Sequence, residues 1–229
     1  MRMGPESGES DTCCIITIMA EAGDEALFDA WAAGDPSAGE ALLDRHFEAL
    51  YRFFHNKAGH DIDDLVQQTF ADCLAAHGRF EGSASFRAFL FGVARNKLLQ
   101  SIYARARDSG RRTEAVTVDD VGSGFVDCVE FKQERRALLR ALRRIPVESQ
   151  ILLELVYWGG LSGREVADVC QIPHGTAKSR IRKAQVILRQ QIQEVLDQSQ
   201  FDSTVDDVER WLADLQGHAD HPSATHRSR

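Results

Sequence analysis

Residues 61–107 read DIDDLVQQTFADCLAAHGRFEGSASFRAFLFGVARNKLLQSIYARAR, and this stretch decides the fold because it joins an acid-fronted helix to a basic, aromatic one. In its first half Ile62, Leu65, Val66, Phe70, Cys73 and Leu74 recur at helical spacing, with Asp61 placed as N-cap and Asp64 in the first turn. That apolar face belongs in a core. Asp63, Asp64, Gln67, Gln68 and Asp72 are left outside, an acidic and amide face suited to docking on a basic protein surface and unsuited to DNA.

Gly78-Arg79-Phe80-Glu81-Gly82-Ser83 then breaks the period with two glycines, and Ser85 opens a second helix. Phe86, Phe89, Leu90, Val93, Leu98 and Ile102 form its apolar side. Around it lie Arg87, Arg95, Asn96, Lys97, Arg105 and Arg107, with Tyr103 among them. Cations for phosphates, an amide for base edges and aromatics for stacking make single-stranded nucleic acid the natural ligand.

Outward from this stretch, helical patterning dominates, so an all-α fold of two small domains is expected from 229 residues that are 43% hydrophobic. Residues 1–23 show no helical period and read as a disordered extension, with Met19 a plausible initiator. Glu25–Ala32 and Ala38–Asn56 read as two helices that complete a first domain over 24–107. Residues 108–133 lose the periodicity and read as a flexible linker, too short for a third domain. No apolar run approaches a membrane span and no secretory signal is present, which points to the cytoplasm. Five scattered cysteines without CxxC spacing read as reduced thiols, with Cys73 and Cys170 in the core, and no metal or other cofactor is expected.

The second domain, 134–196, explains why a chain of net charge −8 can still bind DNA: its charge is segregated. From Arg135 to Arg189 eleven cations face only Glu148, Glu154, Glu165 and Asp168, a net of +7. A basic amphipathic helix (Glu134–Ile145), a break at Pro146 and an apolar helix (Val147–Trp158) precede a helix-turn-helix. In the latter, Leu161–Cys170 is followed by the turn Gln171-Ile172-Pro173-His174-Gly175 and a recognition helix opening at Thr176, whose exposed side carries Lys178, Ser179, Arg180, Arg182 and Lys183.

Taken together, Asp64-Leu65-Val66-Gln67-Gln68-Thr69-Phe70, Arg79-Phe80-Glu81-Gly82, Ser85-Phe86-Arg87 and Ala94-Arg95-Asn96-Lys97 closely resemble region 2 of the extracytoplasmic-function (ECF) RNA polymerase sigma factors of the sigma-70 family. Pro173–Ile181 resembles their region 4. The resemblance spans about Glu25–Leu196 and implies a non-enzymatic initiation factor that binds the clamp and flap surfaces of core RNA polymerase and directs it to promoter DNA. By that resemblance Asp61, Asp63, Asp64, Gln67, Gln68 and Asp72 would face polymerase. Arg79, Phe80, Gly82, Ser83, Phe86, Arg87, Phe89, Arg95, Asn96 and Lys97 would recognise and melt the minus-ten element. Thr176, Lys178, Ser179, Arg180, Arg182 and Lys183 would read the minus-thirty-five element in the major groove. An anti-sigma protein is a further partner of the kind the family implies.

Three departures stand out: Phe89 where many members carry Trp, Gln171 where the turn usually has Gly, and Ala177 where Val is usual. Two rivals are weaker. The string Asp61-Ile62-Asp63-Asp64 also fits the DxDD proton donor of certain terpene cyclases, but the chain is far shorter and lacks a second acidic motif to face it. A free-standing helix-turn-helix regulator would need a sensor domain that nothing in the sequence resembles. The acidic extension 197–229 carries a Val205, Val208, Trp211, Leu212, Leu215 stripe at helical spacing, placed to fold back over the basic recognition helix.

Overall fold

In the computed structural model, which describes residues 22–55, 57–58, 62–80, 84–108, 116–117 and 133–198, the chain is built from helices and their connections. In chain order these are α1 (Asp24–Ala32), α2 (Pro36–His55), α3 (Ile62–Ala75), a 3-10 turn (His77–Arg79), α4 (Phe86–Asp108), α5 (Gln133–Arg144), α6 (Val147–Tyr157), α7 (Gly163–Cys170) and α8 (His174–Gln198). None of them is long and apolar enough to cross a membrane. The N-terminal extension, most of the 108–133 linker and the acidic tail with its Trp211 stripe lie outside the described residues.

Local chemistry sets the helix ends. Asp35 accepts the Ser37 N–H at 3.0 Å just where Pro36, with no N–H to satisfy, begins α2. The Ser85 hydroxyl caps α4 by accepting the Ala88 N–H at 3.2 Å, so the expected opening of that helix is borne out. Helix α7 starts with a reciprocal capping box between Ser162 and Glu165 and ends at Gln171 (φ 53°, ψ 45°), the one described non-glycine residue in the left-handed region.

Helices α1 to α4 pack as one domain around Phe28, Leu42, Leu50, Phe54, Val66, Phe70, Phe86, Leu90, Phe91 and Leu98. Cys73 belongs to this core, and burial pushes its thiol up to about 12; Cys170 is only half-buried. Helices α5 to α8 form the second domain, with Leu138, Leu142, Leu153, Ala184, Leu188 and Ile192 between α5, α6 and α8. The first core does not stop at the domain boundary. Val147, Ile151, Leu155, Val166 and Val169 of α6 and α7 continue the same cluster, so the second domain lies directly against the first. The linker contributes too: Val116 is buried, its carbonyl accepts the Val147 N–H at 2.9 Å, and Thr117 bridges to Pro146. One apolar linker residue thus packs beside α6.

Candidate nucleic-acid and protein interfaces

Helix α3 presents its polar side to solvent. Asp63, Asp64, Gln67, Gln68 and Asp72 are all exposed, while Val66, Phe70 and Cys73 on the opposite side are buried. Gln68 donates to Asp64 at 2.9 Å, which keeps the amide on the acidic row. Thr69, buried among the apolar residues, satisfies its hydroxyl on the Leu65 carbonyl at 2.6 Å. Asp61 lies outside the described residues.

Helix α4 runs alongside, and Lys97 ties the two faces together. Its ammonium sits 2.7 Å from Asp72 and 3.5 Å from Gln68, so a cation expected on the DNA side is shared with the acidic row. Asn96 and Arg79 are exposed. Phe80 and Phe89 are half-buried, their ring centroids 5.3 Å apart and both close to Phe28, so each keeps one edge outside an aromatic cluster. Phe86 does not. It is fully buried, packed against Phe28 and His46, and offers no face to a ligand in this arrangement. Gly82 and Ser83 lie outside the described residues.

The second domain reaches onto the start of α4. Arg87 donates from Nε to the Gly159 carbonyl at 2.6 Å and lies over the Phe91 ring; burial pulls its guanidinium below the ordinary arginine range. Ser85 donates to Glu165 at 2.6 Å, and that bond, with those from Ser162, holds the Glu165 carboxyl below its usual range. Arg95 bears on the Cys170 thiol, and Tyr103 donates to Glu148 at 3.1 Å. Deeper in the same contact Lys57, at the end of α2, donates to Glu154 of α6; both side chains are withdrawn from solvent, and Gln150 donates to the second carboxylate oxygen at 2.7 Å. Burial pushes the Glu154 carboxyl up and the Lys57 ammonium down, while their mutual attraction acts the other way.

Sequence patterning missed this last cluster. The signal that could have found it is Glu154 itself, a lone acid in the apolar run Ile151-Leu152-Leu153-Glu154-Leu155-Val156, since a charge in a buried helix face needs a partner.

The helix-turn-helix is α7, the Gln171–Pro173 turn and α8. Its recognition helix opens two residues earlier than expected, at His174. Ala167 and Ala177 are buried where the two helices cross, so the small side chain at 177 sits in a close contact. Lys178, Ser179, Arg180, Arg182 and Lys183 are exposed together on α8; Thr176 is half-buried, its carbonyl accepting the Ser179 hydroxyl at 2.9 Å. One chain thus carries an exposed acidic and amide row, an aromatic and cationic ridge, and a basic helix-turn-helix.

Residues 40–108 match the sigma-70 region 2 family and residues 135–185 the sigma-70 region 4 family. Over 160 residues, 67% of this chain and 82% of the relative, the sequence is 31% identical to the ECF RNA polymerase sigma factor SigC of Mycobacterium tuberculosis. The chain belongs to the ECF sigma factors of the sigma-70 family. The ECF RNA polymerase sigma factor RpoE of Cereibacter sphaeroides is 28% identical over 193 residues, 82% of this sigma factor and 98% of that one. Two solved structures are also similar. CnrH in complex with the cytosolic domain of CnrY matches with a TM-score of 0.52 at 26% identity, over 79% of this chain and 99% of that one. RpoE in complex with the anti-sigma factor NepR, from Bartonella quintana, matches with a TM-score of 0.53 at 25% identity, over 69% and 96%. In this sigma factor α3 and α4 fall within region 2, and α6, α7 and the recognition part of α8 within region 4.

Proposed function

We propose that this sigma factor binds core RNA polymerase through the polar row of α3, opens the minus-ten element with the exposed edge of α4, and reads the minus-thirty-five element with α8. The observation that carries the reading is the co-occurrence, in one chain, of an exposed acidic row backed by core and an exposed cluster of five polar and cationic residues on a helix-turn-helix. Polymerase does the chemistry; this chain supplies positioning and strand separation and is not itself an enzyme. Region 2, with Phe80, Phe89, Asn96 and Arg79, has stacking edges and polar heads where single-stranded bases could sit. Such work is done in the cytoplasm, and an anti-sigma protein is the expected antagonist, since the similar RpoE of Bartonella quintana forms a complex with the anti-sigma factor NepR.

Asp64→Arg tests the docking role directly. Because Asp64 is exposed and its helix is held by the opposite face, the variant keeps its fold and loses affinity for core polymerase in a competition assay. An Asp64→Arg protein that competes as well as wild type removes α3 from the polymerase contact.

A further inference from the structure

A groove of about 500 Å³ runs beside the recognition helix, between the start of α6 and the middle of α8. Its floor is apolar, with Val116 and Leu152 buried and Ile187 half-buried. Its rim is cationic: Arg180 and Lys183 are both exposed, and neither forms an ion pair with a described residue. Glu148, the one acid that lines it, accepts from the Tyr103 hydroxyl at 3.1 Å. An apolar floor under a basic rim suits a segment that is apolar on one side and acidic on the other.

The chain carries such a segment beyond α8. Val205, Val208, Trp211, Leu212 and Leu215 recur at helical spacing, with Thr204 placed as N-cap and Gly217 just after the last of them. Among them Asp202, Asp206, Asp207, Glu209 and Asp214 stand against Arg210 alone. The segment is also within reach. Lys183 lies about 22 Å back from Gln198, the end of α8, at about 1.5 Å per residue. Residues 199–204 span up to about 20 Å when extended, and 205–215 add about 16 Å as a helix, so the stripe meets the groove by doubling back along α8. Tethering sets the effective concentration in about the millimolar range, so a contact with a Kd of about 0.1 mM is populated about tenfold over its absence.

We propose that residues 205–215 of this chain dock in the groove between α6 and α8, with Trp211 and Leu215 on its apolar floor and the acids facing Arg180 and Lys183. The segment and a DNA backbone present the same charge to the same two cations, so docking and duplex binding compete. That consequence rests on the functional reading above; the docking itself does not.

The test is fluorine NMR of the full-length chain with 5-fluorotryptophan in place of its three tryptophans, the Trp211 resonance being assigned by Trp211→Phe. The shift of that resonance between H2O and D2O reads solvent contact, and in wild type it is about fivefold smaller than in Leu212→Gln with Leu215→Gln. Ile187→Glu, at a half-buried position, and the paired reversal Arg180→Glu with Lys183→Glu raise it to the exposed value, with helix content checked by circular dichroism. Where a groove substitution disturbs α8, the neutral pair Leu212→Gln and Leu215→Gln, made in the tail, gives the same exposure. A Trp211 indole as exposed in wild type as in that pair overturns the proposal, and so does protection that survives both groove variants. Protection that falls on dilution assigns the groove to the tail of a second copy and overturns the intramolecular contact. In a second arm, Leu212→Gln with Leu215→Gln binds a DNA duplex of arbitrary sequence at low salt about tenfold more tightly than wild type, because phosphates regain Arg180 and Lys183. Unchanged DNA affinity beside a protected Trp211 leaves the docking in place and overturns the reading of Arg180 and Lys183 as DNA contacts.

Discussion

Cutting the buried ion pair from either side has consequences of different size and opposite pH dependence. Lys57→Met leaves Glu154 buried with only Gln150 as a partner, and the carboxyl takes a proton rather than stay charged. At pH 7 that costs the closed state, with the two domains in contact, up to about 3 kcal/mol, from an ordinary value of 4.5 and about 1.36 kcal/mol per pH unit. Glu154→Gln leaves Lys57 buried, and neutralising an amine whose ordinary value is 10.5 costs up to about 5 kcal/mol. The signs follow from proton counts. In Lys57→Met the closed state binds one proton more than the opened or unfolded state, so closure strengthens as pH falls from 7 towards 4.5. In Glu154→Gln it binds one fewer, so closure strengthens as pH rises towards 10.5. Energy transfer across the two domains, followed from pH 5.5 to 8.5 beside urea titrations of the same proteins, reads both slopes. Two variants that remain as closed as wild type, with no pH dependence in either, refute the reasoning, because that outcome requires Lys57 and Glu154 to be hydrated and uncoupled.

Three further outcomes are expected. Lys178→Ala and Lys183→Ala each weaken binding to duplex promoter DNA by about 1–3 kcal/mol and leave a pre-melted template equally usable, whereas Asn96→Ala and Phe89→Ala slow opening and are rescued by that template; a rescue pattern the other way round reverses the assignment. Gln171→Gly relieves the left-handed backbone at an exposed position, where an L side chain costs about 1–2 kcal/mol and glycine gives back about 0.5–1 in the unfolded chain; the net gain raises the thermal midpoint by a degree or more, while Gln171→Val lowers it. Burial holds the His46 imidazole below its ordinary 6.5 despite the Asp24 carboxylate 2.7 Å away, so the unfolded chain binds the extra proton and stability is lost as pH falls through 6.5; the midpoint of His46→Gln should change less than that of wild type between pH 7.5 and 5.5.

The helices and their exposed polar faces were legible because each depends on neighbours in sequence. Apolar residues three and four apart placed Val66, Phe70 and Cys73 inward and Asp64, Gln67 and Asp72 outward, and that partition is the one the folded chain shows. The left-handed Gln171 was visible in the same way, as a helix-turn-helix junction without its glycine. Phe86 and Lys97 show where periodicity ran out. Both sit on α4 among residues of the candidate DNA surface, yet Phe86 is covered by Phe28 and His46, and Lys97 is drawn to Asp72, because helices from elsewhere in the chain lie over them. What the sequence by itself determined is the set of helices, their caps and their polar and apolar faces. What only the tertiary structure decided is that α6 and α7 close on region 2, with Lys57 paired to Glu154 across 97 residues. A helix face is fixed by contacts within four residues, but an ion pair between distant segments depends on how two domains dock. No local period encodes that docking.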